Sequence, residues 1–300
     1  MPAYKKGIIA LIIANTIWGA ASPVFKFALQ NISPFLLAFI RFYGAALILL
    51  FFAYPHLKIL KQDYLKIFLL AFFGITLNIT FFFLGLKITS SINAPIIASS
   101  GPIFLYLFSI LILKEHSHYK VLIGLTVSLI GVLLIIGQPL FTGQLDGQLY
   151  GNLLLIIATL ASVAHTIIAK EISRSYSATT ISFWIFLIGA VTFLPLLIWE
   201  IASGSINYSL DYRGIIGIVF GIFLSSAAAY TLFEYGVKYI NAQDVGIFTY
   251  IDPIVAILIA IPLLGEKLSL IYIMGSVFVF GGIYLAEGRL HYHPFHRLRK

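Results

Sequence analysis

The chain has 300 residues, of which 60% are hydrophobic and only 10% charged, against roughly 45–50% and about 25% in soluble domains. Its 19 basic and 11 acidic residues cannot cover the surface of a water-soluble fold this long, so the surface must face lipid. The net charge of +8 does not indicate nucleic acid, because the basic residues sit in short punctuations between apolar runs rather than on one soluble face.

A helix needs about 20 apolar residues to cross a hydrocarbon core about 30 Å thick. The sequence supplies ten such segments, near 7–29, 33–54, 64–88, 91–114, 119–138, 148–170, 177–202, 212–238, 242–265 and 269–290. The fold class read from them is an all-α integral membrane protein with ten transmembrane helices. The runs are apolar on every side, whereas barrel strands would alternate over about ten residues. The first run continues past Trp18 for a full span and reads as the first helix rather than a cleaved signal peptide.

In chain order, the first segment carries Asn15 and Trp18, and the second carries Arg41, about eight residues or roughly 12 Å deep. Asn78 lies in the third, Asn93 and Pro102 lie in the fourth, and Glu115 closes the fourth. The fifth bears the small-residue stripe Gly124, Ser128 and Gly131, and the sixth bears His165. The eighth holds Tyr230 and, near its cytoplasmic end, Glu234, expected to be solvated or paired. The ninth holds Thr249, Tyr250, Asp252 and Pro253 and ends at Glu266, and the tenth repeats the glycine stripe with Gly275 and Gly282.

Lys and Arg fall unevenly between the two sets of loops, fourteen on one side and four on the other with Arg41 in neither, which predicts both termini in the cytoplasm. The chain also repeats itself. A shift of 151 residues superimposes Gly85 on Gly236, Lys87 on Lys238, Pro102 on Pro253, Glu115 on Glu266, Gly124 on Gly275 and Gly131 on Gly282. A shift of 144 aligns Gly7 with Gly151 and Lys26 with Lys170. The expected units are residues 1–140 and 141–300, each with five spans, the second followed by a short basic tail. An odd number of spans per unit makes the repeat inverted, an arrangement suited to alternating access around a midplane site.

At these residues the chain resembles the EamA family of the drug/metabolite transporter superfamily. The match rests on Trp18-Gly19 with Lys26, on Arg41-Phe42 and on the paired stretches 83–137 and 236–288. The resemblance implies a ten-helix carrier exporting amino acids, drugs or other metabolites. Gly101 precedes Pro102 as the family leads one to expect, but Asp252 stands before Pro253, and the resemblance supplies no role for it.

Charges at mid-membrane cost about 2.5–3.5 kcal/mol even on the lenient insertion scale, so each needs a reason. Asp252 lies about ten residues, or roughly 15 Å, into its span. Pro253 beside it is expected to leave the Thr249 carbonyl without its helical donor. This acceptor site suits a substrate ammonium or a coupling proton, and the alternative is a structural pair with a Lys, Arg or Tyr. Arg41 can snorkel or hold a substrate carboxylate, but a structural or gating tie is preferred because the resemblance includes it whatever the cargo. His165 reads first as a hydrogen-bonded packing residue and second as a proton or ligand site. Asn15, Trp18, Asn78, Asn93, Tyr230, Thr249 and Tyr250 are the other candidates for a cavity. Glu115 and Glu266 are expected to cap the first turn of the helix that follows each. The glycine stripes are expected to pack within each half, and Pro102 and Pro253 to act as mid-helix bends.

No cofactor is expected. There is no cysteine, the histidines at 116, 118 and in the tail lack companion carboxylates, and no Walker loop or hydrolase elbow occurs. The expected partners are a small-molecule substrate, the lipid bilayer of the cell membrane and, as a coupling ion, protons. The reading is a secondary exporter of low-charge metabolites. Its alternatives are a facilitator or channel, an exchanger for another metabolite such as a nucleotide sugar, and a membrane enzyme acting on lipid-linked substrates.

Overall fold

A computed structural model describes residues 3–104, 108, 119–142, 147–206, 210–240 and 245–287, and these form helices and turns without a strand. Glu115, His116, His118 and the tail from 288 lie outside the described residues. The helices are α1 (Ala3–Ala28), α2 (Pro34–Ala53), α3 (Tyr64–Ala71), α4 (Asn78–Ile88), α5 (Asn93–Ala98) and α6 (Tyr119–Thr142). They continue as α7 (Gln148–Ile172), α8 (Ala178–Ala202), α9 (Tyr212–Val219), α10 (Ala229–Tyr239), α11 (Ile251–Leu264) and α12 (Leu270–Glu287). A π-helical segment, Phe72–Leu77, joins α3 to α4, and another, Phe220–Ala228, joins α9 to α10, so each pair is one continuous rod. Among the described residues seven helical stretches are long and apolar enough to cross a membrane, and Phe248–Leu264 and Leu270–Leu285 are shorter apolar helices. The chain is therefore a multi-pass membrane protein.

Local chemistry sets the helix ends. Ser33 precedes α2 with extended backbone and Pro34 opens the helix, where its missing N–H removes no intrahelical bond. Ser177 Oγ accepts the Thr180 amide at 3.1 Å at the start of α8, and Asp211 accepts the Arg213 amide at 2.8 Å at the start of α9. Gly265, at φ 66°, closes α11 in the left-handed conformation that a side chain would oppose. Lys26 Nζ donates to the carbonyls of Leu86, at 3.0 Å, and Thr89. Lys170 Nζ donates to those of Val237, at 2.7 Å, and Ile240. Each ammonium thus satisfies carbonyls at the C-terminus of a neighbouring helix, α4 in one case and α10 in the other.

The expected fourth span is not continuous through its middle. α5 stops at Ala98, Ser99 and Ser100 form a turn, and helix resumes over 101–104. Pro102 withholds the donor that the Ala98 carbonyl would take. The Ser99 and Ser100 hydroxyls donate back to the carbonyls of Pro95 (2.9 Å) and Ile97 (2.6 Å), which favours the turn over the ladder. In the ninth segment a 3₁₀ turn, Gly246–Tyr250, leads into α11, and Pro253 falls in the first turn of that helix. Both prolines therefore open a second helical piece rather than bending the middle of one. The Thr249 carbonyl is not left bare, since the Ile251 amide reaches it together with that of Phe248.

The main helix contacts join the first half of the chain to the second: α6 to α12, α2 to α8, α4 to α7, and α1 to both α10 and α11. This corrects the expectation that the glycine stripes pack within each half. A Cβ at Gly131 would meet the Gly275 carbonyl at 2.5 Å, and Ser128 Oγ donates to the Val279 carbonyl at 2.9 Å, so α6 and α12 touch backbone to backbone. Glu266 is also corrected. Its carboxylate accepts from Ser90 Oγ (2.6 Å) and from the amides of Ser91 (2.8 Å) and Ile92 (3.2 Å), before α5, not from the helix that follows it. The outer surface carries Phe51, Leu258, Leu270 and Tyr284 in open exposure, as a lipid-facing wall requires.

Candidate functional site

A cavity of about 200 Å³ lies among the helices. It is bounded by α1, α2, the π segment Phe72–Leu77 with α4, α5 with Gly101 and Pro102, α7, the eighth-span segment 225–233 and the start of α11. Of the described lining none comes from α6, α8 or α12. The tightly crossed α6–α12 pair thus stands away from the cavity as framework. The volume is below the roughly 300–1,000 Å³ of pockets that take drug-sized ligands, which limits the occupant to a small molecule.

Most of the predicted cavity residues meet here: Asn15, Trp18, Arg41, Asn78, His165, Tyr230, Thr249 and Asp252 all line the cavity, and so does Pro102, expected as a bend. α1 supplies Asn15, whose Nδ2 donates to the Leu11 carbonyl at 2.8 Å while its Oδ1 is buried with no hydrogen-bond partner. One turn further along, Trp18 Nε1 donates to the Ser225 carbonyl at 3.1 Å, and its ring meets Tyr230 edge-on with centroids 5.0 Å apart. Gly19 lets α1 approach α11 at Asp252, where a Cβ would meet the Asp252 carbonyl at 2.8 Å. Asp252 itself is 8% exposed, and its Oδ1 is buried without a hydrogen-bond partner. The alternative, a structural pair with a Lys, Arg or Tyr, is not made among the described residues.

Arg41 does not snorkel. It is 2% exposed, with its guanidinium carbon 4.7 Å from the ring centroids of both Phe25 and Phe42. Nε donates to Ser226 Oγ at 2.6 Å and Nη2 to Ser225 Oγ at 3.0 Å, whereas Nη1 is buried without a partner. The side chain therefore ties α2 to the π segment of the eighth span and keeps one donor uncommitted.

His165 projects from α7 into the space left by Gly74, where any Cβ would collide with the imidazole. Its Nδ1 lies 3.2 Å from the Leu70 carbonyl, and its Nε2 lies 3.0 Å from Glu234 Oε1. The second contact is an ion-pair approach rather than an aligned hydrogen bond. Glu234 is fully buried, so of its two expected states it is the paired one. Tyr230 donates to the Gly74 carbonyl at 3.3 Å, and Asn78 Nδ2 donates to the Ala158 carbonyl at 2.7 Å. Both π segments thus reach the site, one through Gly74 and one through Ser225, in keeping with the frequent occurrence of π turns at functional positions.

Two predicted cavity residues are elsewhere. Asn93 Nδ2 donates to Thr89 Oγ1 and Asn152 Oδ1, each at 3.2 Å, in a buried polar knot. Tyr250 is not on the lining and meets the Phe280 ring at 6.2 Å. Sequence reasoning missed Ser225, Ser226, Thr159 and Ser162. The first two had a signal, since a buried Arg needs acceptors and a Ser-Ser pair within an apolar run is one of few sources.

Comparison with known proteins agrees with this architecture. The model of the EamA-like transporter family matches twice, over residues 5–137 and 149–287. The chain is similar to an uncharacterized transporter of Archaeoglobus fulgidus, 24% identical over 96% of this chain and 99% of that protein. It is also similar to the uncharacterized transporter YetK of Bacillus subtilis, 29% identical over 92% of this chain and 85% of that one. A solved crystal structure shares the fold with a TM-score of 0.64 at 16% identity, covering 95% of this chain and 96% of the other. With the family model matched along nearly its whole length and a cavity that carries polar side chains enclosed by helices from both ends of the sequence, the chain belongs to the EamA-like transporter family.

Proposed function

We propose that this membrane transporter is a secondary carrier that exports small, low-charge metabolites of the amino-acid type by alternating access. The observation that carries the cargo reading is the set of unfilled polar atoms among the cavity residues. Asn15 Oδ1 and Asp252 Oδ1 are buried acceptors without donors, and Arg41 Nη1 is a buried donor without an acceptor. Buried polar atoms left unpaired are costly, so a ligand that fills them gains. An ammonium suits the two acceptors and a carboxylate suits the donor. Arg41 is the one Lys or Arg among the described lining residues, and its Nε and Nη2 are already engaged, which disfavours a nucleotide-sugar or other phosphate cargo.

The mechanism rests on ten spans arranged as two inverted five-helix units, residues 1–140 and 141–300. Three observations support this duplication. The family model matches each part of the chain separately. The π segment Phe72–Leu77, moved by 151 residues, falls on 223–228 within Phe220–Ala228. Lys26 on the carbonyls of Leu86 and Thr89 corresponds, by the two sequence shifts, to Lys170 on those of Val237 and Ile240. Related halves can exchange conformations, opening the shared cavity to one side and then the other. In this reading the breaks before Pro102 and Pro253 serve as hinges, and Glu266 with its loop Ser90–Ile92 serves as a latch, with Glu115 its counterpart. The bias of Lys and Arg supports cytoplasmic termini in the cell membrane.

The test is counterflow in proteoliposomes loaded with unlabelled amino acids, with labelled uptake followed for the wild type and for Asp252→Asn. Saturable counterflow that weakens at least tenfold in affinity in the variant is expected. Counterflow unchanged by Asp252→Asn overturns its role, and no counterflow with any amino acid in folded protein overturns the cargo class.

A further inference from the structure

The cargo reading leaves the buried contact of His165 with Glu234 unused, and its geometry has a specific proton requirement. Both ring nitrogens of His165 face acceptors, the Leu70 carbonyl at 3.2 Å from Nδ1 and the Glu234 carboxylate at 3.0 Å from Nε2. An imidazole with one proton can donate on one side only. With Nδ1–H turned to Leu70, a second proton on Nε2 or on Glu234 supplies the attraction that the 3.0 Å approach otherwise lacks. Glu234 Oε2 has no hydrogen-bond partner, so the carboxylate has little besides the imidazole to stabilise it. With two protons shared between them, the imidazole and the carboxylate are neutral as a unit. Losing one leaves a buried net negative charge and an acceptor facing an acceptor.

From this we infer that His165 and Glu234 form the binding site of a coupling proton, separate from the cargo atoms at Asp252 and Asn15. The inference rests on the carrier reading above. His165 lines the cavity while Glu234 is behind it, so a proton arrives from cavity water at the imidazole and leaves by the same face. Protonation also changes the packing between the two parts of the chain, because α7 meets α3 through His165 and the Leu70 carbonyl. When the proton leaves, the one remaining imidazole proton can serve Leu70 or Glu234 but not both, and the α7–α3 seam is free to rearrange.

Few other titratable groups compete. On the third span, Lys66 pairs with Glu171 and Lys87 is exposed. α5 carries no charged or titratable residue, and the described side chains of α6 offer only Tyr119. On α10, Tyr230 packs against the imidazole and donates to Gly74, while Tyr235 and Lys238 are outside ion-pair reach of Glu234. Across the cavity stand Arg41, held by its serines, and Asp252.

The experiment compares wild type, His165→Gln, Glu234→Gln and the double apolar replacement His165→Phe/Glu234→Leu in proteoliposomes carrying a luminal pH dye. The double variant removes both partners at once and so leaves no unpaired buried group if a single replacement fails to fold. Labelled amino acids serve as the probe, first in counterflow at equal pH and then under an imposed pH gradient. The expected result is counterflow within threefold of wild type in folded Glu234→Gln, whose side chain is off the cavity wall, with gradient-driven accumulation and the accompanying luminal pH change reduced at least tenfold in every folded variant. Folded variants that still accumulate label under the gradient, or a wild type that shows counterflow without moving protons, overturn the inference and leave the carrier reading standing. Absence of counterflow in the wild type is the separate failure of that reading. A cargo-free titration then still decides the proton site: wild type in detergent must release one more proton than Glu234→Gln between acid and alkaline pH, and equal release overturns it.

Discussion

Two neighbouring glycines on α12 give the sharpest test of the packing, because the same substitution must act in opposite directions. A Cβ at Gly282 would come within 3.0 Å of the Gly124 carbonyl and the Ser128 amide, both backbone atoms of α6 that cannot rotate away. α12 would have to move off α6 by several tenths of an ångström, and overpacking of this kind costs about 1–3 kcal/mol. At Gly281 an added Cβ meets nothing within 4 Å. There the methyl only removes the helix penalty of glycine, worth about 0.5–1 kcal/mol. With about 2–4 °C per kcal/mol for chains of roughly 150–250 residues, Gly282→Ala should lower the Tm of detergent-purified protein by about 2–12 °C. Gly281→Ala should raise it by about 1–4 °C on the same scale. Thermal unfolding followed by tryptophan fluorescence reads both. Equal shifts, or a Gly282→Ala protein as stable as wild type, would refute the backbone-to-backbone crossing of α6 and α12.

Arg41→Lys should lower transport at least tenfold even in folded protein, because an ammonium cannot reach both Ser225 and Ser226 while stacking between Phe25 and Phe42; initial counterflow rates give the answer. Glu266→Ala removes three acceptor contacts to Ser90, Ser91 and Ile92 and should destabilise that loop by about 1–3 kcal/mol, seen as faster hydrogen exchange at residues 90–92. At the start of α9 the Arg213 side chain, by its hydrogen bond to the carboxylate, holds Asp211 below its ordinary carboxylate range. The ionised form is thus favoured by folding. The contribution is complete above the unfolded value and disappears as pH falls through the lowered one. Asp211→Asn keeps the helix cap and loses only the exposed pair, so Tm curves of variant and wild type should lie slightly apart at neutral pH and converge in acid.

The positions of the spans are legible because lipid demands one feature, a long apolar run, and α1, α2, α7 and α8 end within about four residues of where hydropathy alone puts them. What hydropathy does not encode is interruption. The π segments at Phe72–Leu77 and Phe220–Ala228 occur in sequence as apolar as the helices around them, and the contacts they make with Tyr230, His165 and Arg41 are tertiary. The turn at Ser99–Ser100 was readable in principle from Pro102 with two back-bonding serines. In the candidate site, Asn15, Trp18, Arg41, His165 and Asp252 stood out because polarity is expensive in a membrane. Asn93 and Tyr250 stood out for the same reason but satisfy their needs elsewhere, since sequence gives depth along a helix and not the direction of its face. For Glu234 the sequence does not choose between solvation and pairing, because its partner His165 is 69 positions away in the chain. The glycine stripes were legible as contacts, but which helix they contact depends on how the halves interlock.

The central claim is that one cavity faces the two sides of the membrane in turn. Because the chain has no cysteine, Ser162→Cys places a single thiol on the cavity wall without a background. In vesicles of defined orientation, an impermeant thiol reagent applied from either side should label it, and an amino-acid mixture should slow both reactions. Labelling from one side only, unaffected by amino acids, would contradict alternating access at this site.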